Sequence, residues 1–199
     1  MSSSPLLLET ISIKDAEIQN IVYHNQRFNR SRGELFGVDN HIDLSRFISP
    51  PDSGNYRCRV IYGGDVESIE YLPYRPKDIK KILLVDSDIE YKYKYLNRAE
   101  LNNLSKKYGD YDDILIVRDG LITDTTIANV ALRRDGKWYT PKKPLLEGTT
   151  RQRLIDNGFL STQDIDKSNL TDYDSFAIMN AMIDFKIINI NCLDTGNII

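Results

Sequence analysis

The segment EYKYKYLNRAE, Glu90 to Glu100, contains a lysine that could act as a nucleophile. Tyrosine and lysine alternate over its first half, as in a half-buried strand, and its second half has a helical pattern. Lys94 lies at the junction, where a partly desolvated amine would have a lowered pKa and could serve as a nucleophile or a base. The alternation fits equally well with Lys92 and Lys94 on the solvated face of a strand. Both interpretations stay open.

Two further segments could bind an anion. In HNQRFNRSR, Arg27, Arg30 and Arg32 crowd one end of a predicted helix, where guanidinium groups could bind phosphate or carboxylate. A helix C-terminus also favours cations for dipole reasons alone. In LLEGTTRQRL, a glycine, Thr149 and Thr150 precede a helix whose first backbone N–H groups could hold a phosphate. An ordinary N-cap has the same pattern, so a structural role is the alternative in both segments.

The stretch LITDTTIANVAL places an aspartate among strand-forming residues. If Ile122, Ile127 and Val130 point inward, Asp124 has apolar neighbours and needs a cationic partner, because burying an unpaired charge is costly. A turn-forming aspartate explains the same pattern. Taken together, a lysine nucleophile, an anion cradle with an arginine and a carboxylate that needs a cation are what pyridoxal 5'-phosphate requires of a protein.

The elements that would position these residues are mixed helices and strands. We expect a strand, a turn and a helix ending near Gly33, then a hairpin about Gly63–Gly64. Further on we expect a strand in DIKKILLVDSD, a short amphipathic helix in RAELNNLSKKYGD and several strands joined by turns at Asp119–Gly120 and Asp135–Gly136. No regular βαβ alternation is present, so the pattern predicts an α+β fold. We expect a smaller domain over residues 1–86 and a larger, strand-rich domain over 87–199 that carries the lysine.

Composition limits the classes of function. With 41% hydrophobic and 28% charged residues the chain is in the globular range, and its net charge of -3 gives no general attraction for nucleic acid or an anionic membrane. The two cysteines and two histidines show no metal-site spacing, so no metal is expected. Residues 1–11 have no basic region before their leucines, and no apolar run could span a bilayer. We therefore expect a cytoplasmic protein.

The order and wording of the motifs resemble the class IV aminotransferases, the fold-type IV pyridoxal-phosphate enzymes, over nearly the whole chain. LLETI resembles the family's FETI strand, and YHNQRF resembles its HxxRL helix. KYLNR resembles the KHLNR form of the lysine motif that is found in 4-amino-4-deoxychorismate lyases. DGLITDTTIANV is similar to DGxVTEGTxSNV, and TPKKPLLEGTTRQRLI is similar to TPxxxxxLPGITRxxVL. The resemblance implies a two-domain fold-type IV architecture with pyridoxal 5'-phosphate as cofactor.

The resemblance also implies a set of site residues. Lys94 would form the Schiff base, Arg27 would bind the phosphate, and Asp124 would pair with the pyridine nitrogen. The remaining implied cofactor residues are Asn129, Leu146, Thr149 and Thr150. Three departures stand out: Asp124 replaces the family's glutamate, Glu147 replaces a proline, and a hairpin ahead of the FETI strand is missing, which would truncate the N-terminal domain.

The implied activity is a pyridoxal-phosphate-dependent lyase that converts 4-amino-4-deoxychorismate to 4-aminobenzoate and pyruvate, a reaction of folate biosynthesis. An amino acid transaminase of the branched-chain or D-amino acid type and a non-catalytic cofactor-binding protein are the alternatives. The implied partners are a small amine substrate and a second copy of the chain in a homodimer. Arg59 or Arg98 could bind a substrate carboxylate and Asn180 could line the substrate side, although surface ion pairs and simple packing explain them as well.

Overall fold

The structure, a computed structural model, describes residues 4–196 of the chain. These residues form two compact units. Unit 1 contains the described residues up to Pro76 together with Tyr93–Asn97, and unit 2 contains Lys77–Lys92 and the described residues from Arg98 onward. Lys94 therefore belongs to unit 1, while the domain boundary expected near residue 86 remains a prediction. No helix within residues 4–196 is long and apolar enough to cross a membrane.

Unit 1 combines an antiparallel sheet with one long helix. Its elements are β1 (Leu7–Lys14), β2 (Glu17–Ile18), α1 (Ile21–Phe36), β3 (Asn55–Tyr62) and β4 (Val66–Pro73). The strand order is β2-β1-β3-β4, and all neighbours are antiparallel. The period-two alternation of side chains places Ile11, Cys58 and Val60 on one face, where they pack with Phe28 of α1 in the core of the unit. The hairpin predicted about Gly63–Gly64 is confirmed.

The helix α1 extends beyond the Gly33 at which we expected it to end. It continues to Phe36, and Gly37 follows with φ 66° and ψ 24°. The Gly37 backbone N–H donates to the carbonyls of Arg32 and Gly33, as in a left-handed helix cap. A glycine inside a helix costs only about 1 kcal/mol relative to alanine. Gly33 is therefore tolerated, and the left-handed conformation of Gly37 is what ends the helix.

The alternating segment Glu90–Tyr95 is not the regular strand that its pattern indicates. Only an isolated antiparallel bridge joins Tyr95 to Leu7 of β1. The Leu8 backbone N–H donates to the Lys94 carbonyl at 2.9 Å, while the Tyr95 N–H turns back to the Tyr93 carbonyl at 2.8 Å. The rings of Tyr93 and Tyr95 pack edge to face against the core of unit 1. This tight local turn prevents the continuous ladder that a strand requires.

Unit 2 is strand-rich, as the sequence predicts. Its elements are β5 (Ile82–Asp86), α2 (Ala99–Lys107), β6 (Asp113–Arg118), β7 (Leu121–Thr125), β8 (Asn129–Arg134), β9 (Lys137–Pro141), α3 (Thr149–Asp156), β10 (Leu160–Gln163), β11 (Ser175–Asn180), β12 (Asp184–Ile188) and β13 (Leu193–Asp194). The main order of the sheet is β10-β9-β8-β7-β6-β5-β13, and β11 pairs with both β8 and β12. The fold is therefore α+β, with α3 and the turn between β7 and β8 on this mixed sheet.

The tight turns of unit 2 follow from their sequence. Asp119–Gly120 and Asp135–Gly136 have positive φ at both residues, 52° and 78° in the first and 51° and 72° in the second. Two-residue hairpins favour this conformation because its twist matches that of the flanking strands. Both predicted turns are confirmed. They bring β6 against β7 and β8 against β9, and the buried side chains of these strands pack into the core of unit 2 with those of β5 and β11.

Candidate functional site

Unit 1 contains a buried charged cluster of Glu9, His24 and Arg27. Glu9 lies on β1 and is fully buried. Arg27 of α1 donates to both oxygens of the Glu9 carboxylate, from Nε at 2.8 Å and from Nη2 at 2.7 Å. His24 lies nearly one helical turn before Arg27, and its Nδ1 contacts Glu9 Oε2 at 2.6 Å. His24 and Arg27, which follow Glu9 by 15 and 18 positions in the sequence, thus hold its carboxylate in place.

The cluster holds Glu9 ionised and His24 neutral. Burial acts to raise the pKa of Glu9, but the charge of Arg27 and hydrogen bonds from Arg27 and His24 outweigh it and lower this pKa to about 2. Burial lowers the pKa of His24, and the positive charges of Arg27 and Lys94 lower it further. The Glu9 carboxylate acts to raise this pKa but does not outweigh them. Neutral His24 therefore donates from Nδ1 to Glu9. Its Nε2 is buried and has no hydrogen-bond partner among the described residues.

Two residues predicted for the site, Arg27 and Lys94, thus belong to the same unit, and Lys94 is near enough to influence His24. Lys94 is half-buried. Sequence reasoning missed Glu9 and His24, although a single carboxylate in the apolar run LLLETI was a usable signal. Arg32 has a different role from Arg27, because it is fully buried and donates to the carbonyls of Gly64 at 2.7 Å and Asn40 at 2.8 Å. It stabilises the fold of unit 1.

Unit 2 holds Asp124 in a buried and well-defined position. Asp124 is near the end of β7 and pairs with Asn129 at the start of β8. Asn129 Nδ2 donates to Asp124 Oδ1 at 2.8 Å, and the Leu146 backbone N–H donates to Oδ2 at 2.9 Å. Asn129 also donates to the Leu146 carbonyl at 2.8 Å. Three predicted site residues are therefore joined in one hydrogen-bond network.

Burial raises the pKa of Asp124 to about 6, although hydrogen bonds from Asn129 and Leu146 and the charge of Arg151 oppose that change. Among the described residues of unit 2, no lysine, arginine or histidine forms an ion pair with this carboxylate. The expectation that Ile127 points inward is wrong, because its side chain is 44% exposed on the turn after β7. Asp124 is thus a buried acid held by neutral donors.

The turn before α3 lies next to Asn129. Gly148 precedes the helix, which begins at Thr149, and both Thr149 and Thr150 are buried. A Cβ at position 148 would lie 1.9 Å from Asn129 Oδ1, so the close approach of the backbone requires glycine here. The first backbone N–H groups of a helix have no partner within the helix, and they favour an anion. Thr149 and Thr150, which the sequence indicated just before the helix, are its first two residues.

The three residues considered for substrate binding have partners within the protein. Arg59 on β3 pairs with Glu70 on β4 at 2.6 Å across the sheet. Arg98 donates to the Thr126 carbonyl. Asn180 Oδ1 accepts hydrogen bonds from the backbone N–H groups of Met182 and Ile183 at 2.9 and 3.1 Å, which closes the turn after β11. Their binding of substrate stays a prediction.

Comparison with known proteins identifies the class. An uncharacterized protein of Haemophilus influenzae is 35% identical over 182 residues, covering 88% of this chain and 97% of its own. The crystal structure of a Haemophilus somnus protein, provisionally named 4-amino-4-deoxychorismate lyase, is 34% identical with a TM-score of 0.82, covering 92% of this chain and 98% of that one. The fold is thus that of the fold-type IV aminotransferases. Residues 68–189 match the family Amino-transferase class IV, and the chain belongs to this family.

The family and its structures imply pyridoxal phosphate. A hypothetical aminotransferase of Mycobacterium tuberculosis, solved in its PLP-bound form, shares the fold with a TM-score of 0.78 at 18% identity, covering 96% of this chain and 82% of that one. The residues of this chain fit such a cofactor. In unit 2, a buried carboxylate without an ion pair in that unit suits a protonated ring nitrogen, and the N-terminus of α3 suits a phosphate. In unit 1, the guanidinium of Arg27 is of a kind that binds phosphate.

Proposed function

We propose that this protein is a pyridoxal-phosphate-dependent enzyme, and specifically a lyase that forms 4-aminobenzoate and pyruvate from 4-amino-4-deoxychorismate. The observation that carries the cofactor assignment is Asp124. Its carboxylate is buried, is oriented by Asn129 and Leu146, and has a pKa raised by burial. Such a group is costly as an isolated anion and becomes favourable when a cation is supplied. A protonated pyridine nitrogen is a cation of the right kind.

Each proposed residue has one task. Lys94 would hold the cofactor covalently, and Arg27, oriented by Glu9 on two of its nitrogens, would bind the phosphate. In unit 2, the backbone N–H groups at Thr149 and Thr150 are also candidates for binding a phosphate. Asp124 would keep the proton on the ring nitrogen. When bound, the cofactor supplies the electron withdrawal that makes a proton next to the substrate nitrogen acidic.

Lys94 would also carry the proton in the reaction. When it is not bonded to the cofactor, the lysine amine would act as a base and take the proton from the ring carbon that bears the substrate nitrogen. Loss of that proton would allow the bond between the neighbouring ring carbon and the enolpyruvyl oxygen to break, and the released enol would take up a proton to give pyruvate. The aromatic ring of 4-aminobenzoate provides the driving force. The lyase is favoured over other reactions by the KYLNR wording of the lysine motif and by the name of the similar Haemophilus somnus protein.

Absorbance and product formation test this proposal. The protein mixed with pyridoxal phosphate should develop a visible absorbance band that Lys94→Ala abolishes and that Lys92→Ala, two residues away, retains. With 4-amino-4-deoxychorismate, the wild type should release 4-aminobenzoate and pyruvate in equal amounts. Conversion of the cofactor to its pyridoxamine form by single amino acids would instead identify a transaminase. Cofactor binding without turnover of either substrate class would leave a binding protein, and absence of the band would refute the assignment altogether.

A further inference from the structure

A set of hydrogen bonds outside the proposed cofactor residues holds the turn that follows Asp124. We name Thr126–Ala128, the turn between β7 and β8, the acid turn. Its first residue, Thr126, is buried, with 7% of its surface exposed. The Thr126 backbone N–H and Oγ1 both donate to Asp113 Oδ1, at 3.2 and 2.5 Å. On the other side, Arg98 donates from Nη2 to the Thr126 carbonyl. One residue is thus held through its N–H, its hydroxyl and its carbonyl.

These bonds attach the acid turn to two other elements of unit 2. Arg98 directly precedes α2, and Asp113 is the first residue of β6. The turn does not need them for its own shape, because the Thr125 N–H donates to the Ala128 carbonyl at 2.9 Å and Thr125 Oγ1 accepts from the Ala128 N–H at 3.1 Å. The contacts of Thr126 therefore fix where the turn lies relative to α2 and β6.

The position of the acid turn decides the surroundings of Asp124. Asp124 and Asn129 flank the turn and Thr125, and the two side chains are hydrogen-bonded to each other across it. β7 and β8 pair only at these two residues, so the end of this hairpin has few other restraints. A displacement of the turn would shift the Asp124 carboxylate away from the Leu146 N–H and admit water to it.

A purely stabilising role fits this arrangement less well. Asp113 is 4% exposed, yet its Oδ2 has no hydrogen-bond partner among residues 4–196, and neither does the buried Nε of Arg98. Buried polar atoms without partners cost stability, so apolar side chains packed at these positions would hold the turn at a smaller cost in free energy. What polar groups provide is a defined position, because hydrogen bonds are directional.

We propose that Arg98 and Asp113 are positioning residues that fix the acid turn through Thr126 and thereby keep the Asp124 carboxylate buried and aligned. Arg98, the arginine of the KYLNR motif, then acts by positioning Asp124, and its presence in the motif is explained without binding of a substrate carboxylate. The inference rests on the proposed function only in giving Asp124 the role of pairing with the ring nitrogen. The effect of Arg98 and Asp113 on the Asp124 side chain is present in the protein without any cofactor.

The test is a measurement of the pKa of Asp124 in the full chain without cofactor. Carbon-13 NMR of labelled aspartate carboxyl groups measures this pKa, and the Asp124→Asn variant identifies which signal belongs to Asp124. Arg98→Met removes the donor and keeps an unbranched apolar chain, and we expect the pKa to fall by about one unit as water reaches the acid. Arg98→Lys restores a donor and should restore most of the shift. Thr126→Val removes only the hydroxyl bond to Asp113 and should have a smaller effect in the same direction.

Arg118→Met is the matched control. Arg118 is another arginine of unit 2 that donates to backbone carbonyls, those of Asp88 and Ile89, and its Nε is likewise buried without a partner among the described residues. Its loss should reduce stability and leave the pKa of Asp124 unchanged. An unchanged pKa in both Arg98→Met and Thr126→Val would overturn the proposal. Failure of pyridoxal phosphate to bind the wild type would overturn the proposed function instead, with the pKa result unaffected.

Discussion

Replacement of Asp124 by asparagine should change how the stability of the protein depends on pH. Asparagine has nearly the same shape, but it does not ionise and cannot accept the hydrogen bonds of both Asn129 and Leu146. The lost bond costs about 1–3 kcal/mol at any pH. The ionisation of the carboxylate, by contrast, acts only over a limited pH range. Comparing two pH values separates the two effects.

The sign and size follow from the pKa. Burial raises the pKa of Asp124 from 3.8 to about 6. Between these values the unfolded chain loses its proton while the folded protein keeps it, so rising pH favours unfolding. The contribution of Asp124 to the free energy of unfolding is fully present below pH 3.8 and is lost as pH rises through 6. The loss totals about 3 kcal/mol over this range. About 2 kcal/mol of it falls between pH 4 and pH 7.

Urea unfolding of the full chain without cofactor, at pH 4 and at pH 7, measures this effect. The wild type should lose about 2 kcal/mol more than Asp124→Asn between the two pH values, because all other groups titrate alike in both proteins. Asp174→Asn is the control. Hydrogen bonds from Ser175 and Arg133 lower the pKa of Asp174, so its removal should change the pH dependence in the opposite direction. Parallel curves for the wild type and Asp124→Asn would refute the reasoning.

Four other substitutions test separate parts of the structure. Glu9→Gln should destabilise the protein at pH 7 by about 3 kcal/mol, because the Glu9 pKa falls from 4.5 to about 2 on folding. This stability is present above pH 4.5 and is lost as pH falls toward 2. In urea unfolding, the difference between the wild type and Glu9→Gln should therefore be smaller at pH 3 than at pH 7. Gly148→Ala should displace Asn129, lower the melting temperature through about 1–3 kcal/mol of overpacking and weaken cofactor binding in an absorbance titration. Arg32→Met should cost about 2 kcal/mol by leaving two carbonyls unpaired, with unchanged cofactor affinity in the folded protein. Arg59→Met should cost less than about 1 kcal/mol in the same melts, since its ion pair is at the surface; a larger loss would contradict a surface role.

Local signals in the sequence were sufficient for much of the fold. Asp-Gly pairs favour positive φ at two successive residues, so both hairpin turns of unit 2 could be located without tertiary information. The periodicity of apolar residues likewise located β1, α1 and the strands that follow. Motif wording identified the family, which the match over residues 68–189 confirms. These features depend on residues close together in the chain, whose conformational preferences act before any long-range contact forms.

Only the tertiary structure decided which polar groups meet. Tyrosine and lysine alternate in Glu90–Tyr95 as they would in a strand, but the hydrogen bonds to β1 form at one end only. Glu9 pairs with His24 and Arg27, and Arg98 with Thr126, 28 residues away. A buried charge must find a partner to offset its desolvation, and the sequence states that need without naming the partner. Packing of β1 against α1, and of the acid turn against α2 and β6, makes the choice.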